Sequence, residues 1–455
     1  MDILIVIGYL GFLLFYGIYQ GYRVKNVKEF SLSGKRHGLF VVFAALSAAF
    51  IGGGFSSGNA TEVFKNGTGN ILGLCGFSLG QIIIGFFMLK RVRLPQNASS
   101  PGMIMQGGYG KYGRIVSGVS ATLLCVGLLG AQIAAIGWIF NVLLNVPYAA
   151  GVVIGFAVVL VYSTAGGMSA IITAEIVEFL LLSIGLPILL ICSVRYVGGV
   201  NALMGGLPPE RLNPFKSMEA GSLISLFITM MIGEALTPTY IQRILMAKDK
   251  RSISKATILS GVVSAPVFII TGFVGMCAFV ANPNMQESLA MPYMVIHAMP
   301  VGLKGLVMAA MLAIVMSSAD GLLSSAAIGL VNDVLAPLSK KKPSEGRQLR
   351  LIRAVTVLLG VIGMGFAIYS GDVFGLLLLA YAAWAPVMLA PLLALLMGKR
   401  ISIKGFLLCG GAGAGTAVFF GAAGISPFGM TPSVAGFLIN LTMFLAIYSL
   451  EKRKK

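Results

Sequence analysis

Charged and metal-binding side chains are scarce in this chain. Its 455 residues include 15 Asp and Glu, two His, two Trp and five Cys, and only 11% of the sequence is charged. Because the two His are far apart and every Cys lies in an apolar stretch, the sequence predicts neither a histidine metal site nor a disulfide framework. A Gly-x-x-x-x-Gly-Lys-Ser/Thr loop and a His-Glu-x-x-His motif are also missing. We therefore expect neither nucleotide binding nor a membrane-embedded hydrolase, and we expect that the protein is not an enzyme.

Apolar residues dominate what is present. They make up 57% of the chain, and the mean hydropathy is +0.92. Apolar runs of 18 or more residues recur along nearly the whole length. Each can cross the ~30 Å hydrocarbon core of a bilayer, where helices satisfy their own backbone groups. The sequence therefore predicts an all-α polytopic membrane protein in which residues 1–455 form a single integral membrane transporter domain.

The N-terminal apolar run, Ile3–Tyr22, is the first predicted helix. It lacks the basic segment and the small-residue cleavage site of a signal peptide, and its apolar core is too long for one. We count about thirteen transmembrane helices in all. Their predicted ranges are 3–22, 38–64, 69–89, 114–144, 148–165, 171–195, 221–243, 256–281, 301–331, 350–370, 373–397, 404–424 and 432–450.

Positive charge is distributed unevenly between the two sides of these helices. Of the 33 Lys and Arg, 28 fall in alternate loops and the C-terminal tail, and only five fall on the other side. Because cytoplasmic loops are rich in Lys and Arg, we expect a protein of the cytoplasmic membrane with its N-terminus outside and its C-terminus in the cytoplasm. The net charge of +18 then reflects topology and not nucleic-acid binding. The basic segments are 23–37, 90–114, 243–255, 340–353, 399–404 and 452–455.

The helix count indicates an internal repeat. Five predicted helices occupy residues 38–195, and five more occupy 221–397. A unit with an odd number of helices ends on the side opposite to its start, so its copy must be inverted, as in many transporters. The sequence predicts two inverted five-helix repeats, with an extra N-terminal helix and loop at 1–37 and C-terminal helices at 404–455.

The first helix of each predicted repeat carries residues that interrupt helices. Gly52, Gly53 and Gly54 lie near the middle of one, and each costs ~1 kcal/mol relative to Ala. Gly233 and Pro238 lie in the other, and proline removes a backbone hydrogen bond. Broken helices at matching positions are typical of transporters, whose ion and solute sites lie at the breaks. Close helix packing through small residues is the alternative for the glycines.

Acidic and hydroxyl side chains within the predicted helices are candidates for an ion site. Glu178 lies near the cytoplasmic end of its helix, where we expect interfacial hydration. Glu234 lies at the second break, where it could contact a solute, cap a half-helix or form a structural hydrogen bond. Ser317 and Ser318, with carbonyls of a broken helix, offer the oxygen ligands that a hard cation prefers. Bonding of each hydroxyl to the carbonyl four residues earlier is the alternative.

Four motifs follow one another along the chain. They are Gly52–Phe55 (GGGF, followed by Gly58), Tyr162–Ala170 (YSTAGGMSA), Tyr240–Leu245 (YIQRIL) and Met316–Asp320 (MSSAD). In their order and spacing they resemble motifs of the sodium:solute symporter family, and the first and last are most similar to the high-affinity choline transporter branch. The resemblance extends from the second to about the eleventh predicted helix, and it implies the inverted-repeat transporter fold with broken first helices and sodium-coupled transport.

The resemblance implies a sodium site between the first helix of repeat one and the third helix of repeat two. A family aspartate at the cytoplasmic exit path of sodium corresponds to Glu175, which keeps the carboxylate on a longer side chain. Sodium is then the co-transported ion, and no other cofactor is implied. The implied ligands are the carbonyl oxygens of Ala48, Ile51 and Ile314 and the hydroxyls of Ser317 and Ser318.

The aromatic cage of the choline branch is only half retained. Its tryptophan positions correspond to Phe50, Gln132 and Thr237, and a tyrosine position corresponds to Phe77. Because several rings must surround a quaternary ammonium, the two polar replacements weaken the cage. We expect a solute with hydrogen-bonding groups, such as a carboxylate or a zwitterion. Phe50 and Phe77 would cover it unless they are core residues, and Gln81, Gln132, Glu234 and Thr237 would bond to it.

The sequence thus predicts a sodium-coupled symporter that imports a small polar organic solute by alternating access. Uptake of choline or a related quaternary amine is one alternative, and a membrane-embedded solute sensor or an uncoupled channel is another. The expected partners are sodium, the solute and membrane lipid, without nucleic acid or an obligatory protein partner. The glycine-rich run Gly410–Gly415 lies in an apolar span and is interpreted as helix packing.

Overall fold

The computed structural model describes residues 1–21, 37–91, 100–339 and 344–453, and most of these residues are helical. Wide π-helical turns occur at Gly54–Gly58, Gly329–Leu335 and Ala385–Leu389. The helices are α1 (Asp2–Gly21), α2 (Leu39–Phe50), α3 (Asn59–Asn66), α4 (Gly69–Arg91), α5 (Pro101–Leu144), α6 (Tyr148–Tyr196), α7 (Val200–Gly206), α8 (Pro209–Leu212), α9 (Pro214–Ser217), α10 (Ala220–Gly233), α11 (Pro238–Leu245), α12 (Lys250–Ala281), α13 (Ala290–Ala298), α14 (Leu303–Ile328), α15 (Ala336–Leu338), α16 (Glu345–Ser370), α17 (Val373–Tyr381), α18 (Ala390–Leu396), α19 (Ile403–Ala423) and α20 (Pro432–Arg453).

The long apolar helices are those of a protein that crosses a membrane many times. Ten of those in the described ranges are long and apolar enough to span a bilayer, and twelve spans result if each of two bent helix pairs counts as one. Tyr148–Val161 is a shorter apolar helix. An all-α polytopic membrane protein is confirmed, whereas the total of thirteen helices and the inverted repeats stay predictions.

Two of the differences from the predicted helix boundaries are large. The helix predicted at 114–144 begins at Pro101, because the Ser100 hydroxyl accepts a hydrogen bond from the Met103 amide and proline is favoured at the first helical position. The backbone then turns at Gly110, where φ is +63°. In α6, helical backbone continues through the connection predicted at 166–170, which contains no proline to stop it.

Helix α14 lies at the centre of the bundle and α1 at its edge. In the 18-residue apolar stretch of Leu303–Leu338 that could span the membrane, 94% of the residues are buried. In the corresponding stretch of Asp2–Tyr19, only 17% are buried. The middle of α14 is rich in Ala, Ser and Gly, and small side chains let neighbouring helices approach closely in a membrane. The double serine of the predicted ion site is therefore surrounded by other helices.

The N-terminal helix is fixed to the centre at two points. The Asp2 carboxylate accepts hydrogen bonds from the amides of Gly302 and Gly305, at 2.7 and 2.9 Å, and so caps the N-terminus of α14. Further along α1, the Tyr9 hydroxyl donates to Glu178 Oε1 of α6 at 3.2 Å. The predicted extra helix thus contacts both the serine-bearing helix and a buried acid.

Eleven of the 33 Lys and Arg lie outside the described residues, in 22–36, 92–99, 340–343 and 454–455. They include all five of the predicted loop at 23–37 and three of the six at 340–353. The orientation inferred from the distribution of charge therefore stays a prediction.

Candidate functional site

The first predicted break is present and its backbone is irregular. Helix α2 ends at Phe50, Ile51 adopts ψ of 65°, and helical backbone resumes at Gly54 with a bend of 58°. Within the break, the Gly52 amide donates to the Phe50 carbonyl at 2.8 Å, and the Ser56 hydroxyl donates to the Gly52 carbonyl at 2.8 Å. The expectation of a broken helix at the three glycines is confirmed.

Gly52 lies where side chains of two other helices converge. A Cβ placed on it would lie 2.6 Å from Gln132 Oε1 of α5 and 2.9 Å from Ser318 Oγ of α14. The neighbouring Gly53 amide, freed by the break, donates to Gln132 Oε1 at 2.6 Å. A buried amide without a partner would be costly, so Gln132 stabilises the open backbone. Glycine is needed here for close approach as well as for bending.

Two of the implied sodium ligands meet beside this break, and a third is next to them in the chain. Ser318 Oγ lies 3.3 Å from the Ala48 carbonyl oxygen and 3.2 Å from that of Ala49, so its hydrogen bonds reach α2. Ser317 Oγ is buried and makes no hydrogen bond of normal length to a described residue. Hydroxyl oxygens of this kind are suitable ligands for a hard cation.

The remaining implied ligands belong to the same region by chain position. Ile51 is the first residue of the break and is fully buried. Ile314 precedes Ser317 and Ser318 by about one turn of α14, so its carbonyl points toward their hydroxyls. The five oxygens therefore come from two facing segments, one broken and one regular.

The second break lies between α10 and α11, with a bend of 40°. Leu236 has a left-handed φ of 54°, and Pro238 begins α11. The Thr237 hydroxyl lies 3.4 Å from Glu234 Oε2 and 3.2 Å from the Thr239 hydroxyl. This predicted break is also confirmed.

A single helix, α17, supports both breaks. The Tyr381 hydroxyl donates to Glu234 Oε1 at 3.0 Å, and Trp384 Nε1, just beyond α17, donates to the Ala235 carbonyl at 3.1 Å. Leu377, four residues before Tyr381, packs against Gly54 of the first break. Of the three roles considered for Glu234, a structural hydrogen bond is therefore the one the structure contains.

Sequence reasoning missed both the role of α17 and a third interruption. The span predicted at 373–397 is divided by turns at Ala382–Trp384 and a π-helical segment at Ala385–Leu389. Pro386 was the available signal, because proline disrupts a helix interior. Tyr381 and Trp384 were a second signal, because buried Tyr and Trp usually need a hydrogen-bond partner.

The predicted phenylalanines lie in an aromatic cluster. The ring of Phe77 is centred 5.0 Å from both Phe50 and Phe55, and Phe50 stacks against Tyr240 at 6.1 Å. Phe55 also contacts Phe268 at 5.2 Å. All these rings are buried, so they form part of the core between α2, α4, α11 and α12.

Gln81 lies apart from the other polar candidates. Gln81 is buried one turn after Phe77 in α4. A Cβ placed on Gly261 of α12 would lie 2.9 Å from the Cβ of Gln81. Its Oε1 makes no hydrogen bond to a described residue. The contacts of the described residues thus join Gln132 to the first break and Thr237 to Glu234, but they place Gln81 against α12.

Glu175, the acid predicted on the exit path of sodium, forms an ion pair with an arginine. Glu175 Oε1 forms a buried ion pair with the Arg243 guanidinium, and Arg243 also donates to the Thr239 carbonyl at 3.0 Å. The side chains of Glu175 and Arg243 are 0% and 1% exposed. Assigning Arg243 to the charged loop at 243–255 was therefore wrong, because it belongs to α11 and has a partner inside the bundle.

The expectation of hydration for Glu178 was also wrong. Glu178 is 1% exposed, because α1 covers this face of α6 and Tyr9 donates to it. Its carboxyl also lies beside the Ser317 hydroxyl. Sequence reasoning missed this proximity, since it depends on how three separate helices pack.

Comparisons with known proteins match nearly the whole chain. The model of the family described as "Sodium:solute symporter family" matches residues 30–413. The high-affinity proline transporter PutP of Bacillus subtilis (strain 168) is 23% identical, covering 94% of this chain and 94% of its own. The high affinity choline transporter 1 of Homo sapiens is 24% identical, covering 82% of this chain and 68% of its own.

Solved structures share the fold. A substrate-bound, outward-open structure of a Na⁺-coupled sialic acid symporter has a TM-score of 0.82 at 17% identity, covering 99% of this chain and 98% of that one. The nucleobase-cation symporter Mhp1 in a closed conformation has a TM-score of 0.60 at 14% identity, covering 93% and 95%. The transporter fold predicted from the sequence is thus confirmed.

Replacing Arg243 with Met should destabilise the protein because it leaves the Glu175 carboxylate buried without its partner. Breaking such a pair typically costs about 3–5 kcal/mol. Thermal unfolding in detergent measures the loss, and the double variant Arg243→Met with Glu175→Gln is expected to recover much of it. A single variant as stable as the unchanged protein would contradict this account of the ion pair.

Replacing Gly52 with Ala should impair transport more than folding. The added Cβ displaces the ends of Gln132 and Ser318, both of which can move, so the bundle still assembles but the break changes shape. The matched control is Gly365→Ala in α16, where an added Cβ has nothing within 4 Å. Solute uptake into proteoliposomes and the Tm are compared for both variants. Equal uptake by the two variants would contradict the prediction.

Proposed function

Because the chain belongs to the sodium:solute symporter family, we propose that it imports a small polar organic solute together with sodium by alternating access. The observation that supports the sodium part is the contact of the Ser318 hydroxyl with the Ala48 carbonyl of the broken helix, with the buried Ser317 next to it in α14. These are oxygen donors without a full charge, as a weakly held and exchangeable cation requires.

In this proposal, sodium lies among the carbonyl oxygens of Ala48, Ile51 and Ile314 and the hydroxyls of Ser317 and Ser318. Binding replaces the contacts between Ser318 and α2 with ion contacts, and so fixes α2 against α14. The buried Glu178 carboxyl beside Ser317 adds to the polarity of this side of the site.

Coupling to the solute follows from the shared backbone of the first break. Gln132 holds the Gly53 amide, and Gly53 adjoins Gly52, which lies against Ser318. An ion that orders Gly52 therefore also positions Gln132 for a solute. By linkage, the solute strengthens sodium binding by the same factor.

Release of sodium and solute into the cytoplasm requires α6 and α11 to separate. The buried ion pair between Glu175 and Arg243 joins these helices. We propose that Glu175 acts on the exit path through this pair and not as a direct ion ligand. Domain motions of this kind typically proceed by helices moving as rigid bodies.

The solute is proposed to carry a carboxylate or to be a zwitterion. At the positions of the choline cage, Gln132 and Thr237 supply an amide and a hydroxyl, whereas Phe50 and Phe77 are packed in the aromatic core. The relative PutP is named as a proline transporter, and proline is a zwitterion of this kind. Choline remains the alternative, since another relative is a choline transporter.

The wider organisation is proposed as the sequence predicts it. Residues 38–195 and 221–397 form the two inverted repeats, 1–37 an extra helix and loop, and 404–455 the C-terminal helices. The distribution of Lys and Arg supports an N-terminus outside and a C-terminus in the cytoplasm, within the cytoplasmic membrane.

Replacing both Ser317 and Ser318 with Ala should abolish most of the sodium activation of uptake, because two of five proposed ligands are lost. The matched control is Ser324→Ala, which removes another buried hydroxyl of α14 that has no partner among the described residues. Uptake is measured against sodium concentration, with potassium as the replacement ion. Unchanged sodium activation in the double variant would exclude this site.

Proline or another zwitterionic amino acid should show sodium-dependent counterflow in proteoliposomes, and choline should be a poor substrate. The reason is that two positions of the aromatic cage carry polar side chains. Exchange accelerated by solute on the opposite side identifies a carrier, since a channel or sensor lacks this response. Efficient uptake of micromolar choline would overturn the assignment of the solute class.

A further inference from the structure

A long groove on the side of the bundle is separate from the proposed ion and solute site. It has a volume of about 1020 Å³ and lies between α5, α17 and α19, with the start of α20 at one end. Along α19 its lining runs from Phe406 to Ala422, which is about 24 Å of helix. The groove therefore runs along the direction of the membrane spans.

The groove is apolar and open to the surrounding bilayer. Val119 and Leu123 of α5, Leu379 of α17 and Val418 of α19 all line it, and each is at least 42% exposed. No charged side chain is among the described residues that line it. In a membrane, such a surface contacts hydrocarbon.

The glycine-rich run of α19 forms part of the groove floor. A Cβ placed on Gly413 would lie 2.9 Å from the Gly436 carbonyl oxygen, so this side packs against α20 as the sequence predicts. Gly411, in contrast, has nothing within 4 Å of an added Cβ and lines the groove. Helix packing therefore explains only one side of the run Gly410–Gly415.

One end of the groove carries two lysines. Lys111 lies one turn before the lining residue Ile115 in α5, and Lys404 lies about one turn before the lining residue Leu407 in α19. Both lysines are exposed. The two helices meet at this end, because the rings of Tyr109 and Phe406 stack at 4.5 Å.

The other charges near this end leave it basic. Arg114 turns inward and forms an ion pair with Asp333 at 3.1 Å. The Glu451 carboxylate accepts a hydrogen bond from the Ser402 amide at 2.9 Å, and Lys452 and Arg453 follow it in the chain. Lys399 lies over the ring of Tyr448 at 5.8 Å.

We propose that the groove binds an acyl chain of an anionic phospholipid whose phosphate lies between Lys111 and Lys404. The open apolar floor fits a hydrocarbon chain, and the lysines fit a negative headgroup at the same end. A chain from one leaflet reaches about 15 Å, so it fills the half of the groove that contains Gly411. The proposal places this end on the cytoplasmic side and so rests on the proposed orientation.

Native mass spectrometry of the full chain in detergent tests this with dioleoyl phosphatidylglycerol and dioleoyl phosphatidylcholine as probes. We expect tighter binding of phosphatidylglycerol, reduced about fivefold for each lysine replaced by Gln at Lys111 and Lys404. The matched control, Lys255→Gln with Arg347→Gln, removes two exposed basic charges elsewhere and should keep the preference. Equal binding of both lipids, or a preference that survives in the double variant at Lys111 and Lys404, would overturn the proposal.

Filling the groove tests the acyl chain separately. Gly411→Leu should reduce retention of phosphatidylglycerol, whereas Gly415→Leu should not, because Gly415 is equally open but lies outside the groove. Equal effects of the two variants would contradict a chain bound at Gly411. A dimer that Gly411→Leu converts to monomer, without a lipid preference, would show instead that a second copy covers the groove. These outcomes do not depend on transport, so they can fail while the proposed function stands.

Discussion

Every backbone group freed by a helix break within a membrane needs a partner from the protein, and this constraint governs the centre of the molecule. At the first break the partner is Gln132, which accepts from the Gly53 amide. At the second it is Trp384, which donates to the Ala235 carbonyl. Because each partner comes from a distant part of the chain, the two irregular segments exist only within the assembled bundle, and the side chains that stabilise them also shape the space between them.

Helix α17 faces lipid at Leu379 but also supports both breaks from its buried side. It contacts the first break through Leu377 and holds Glu234 of the second through Tyr381. A movement of this helix would therefore reach both breaks together. Relatives named for proline and choline transport share the family, and a sialic acid symporter shares the fold, so solute choice must depend on a few side chains within a common frame.

The sequence predicts features whose cause is local. Three adjacent glycines and the pair of Gly233 and Pro238 weaken a helix wherever they occur, so both breaks could be located. Apolar run length likewise locates most spans. The burial of Glu178 and the partner of Glu175 could not be predicted, because each depends on helices far away in the chain. The third interruption near Trp384 lies between these cases, since Pro386 signalled it but its role depends on the contact with Ala235.

The cap that Asp2 places on α14 joins residues 300 positions apart in the chain. During synthesis α1 emerges long before the amides of Gly302 and Gly305 exist, so the Asp2 carboxylate cannot form these hydrogen bonds until α14 has been made. The final seating of α1 against the bundle is consequently a late event of biogenesis, and it follows insertion of the helix that carries the serine pair. Helix α1 therefore completes its native contacts only after α14 has been made.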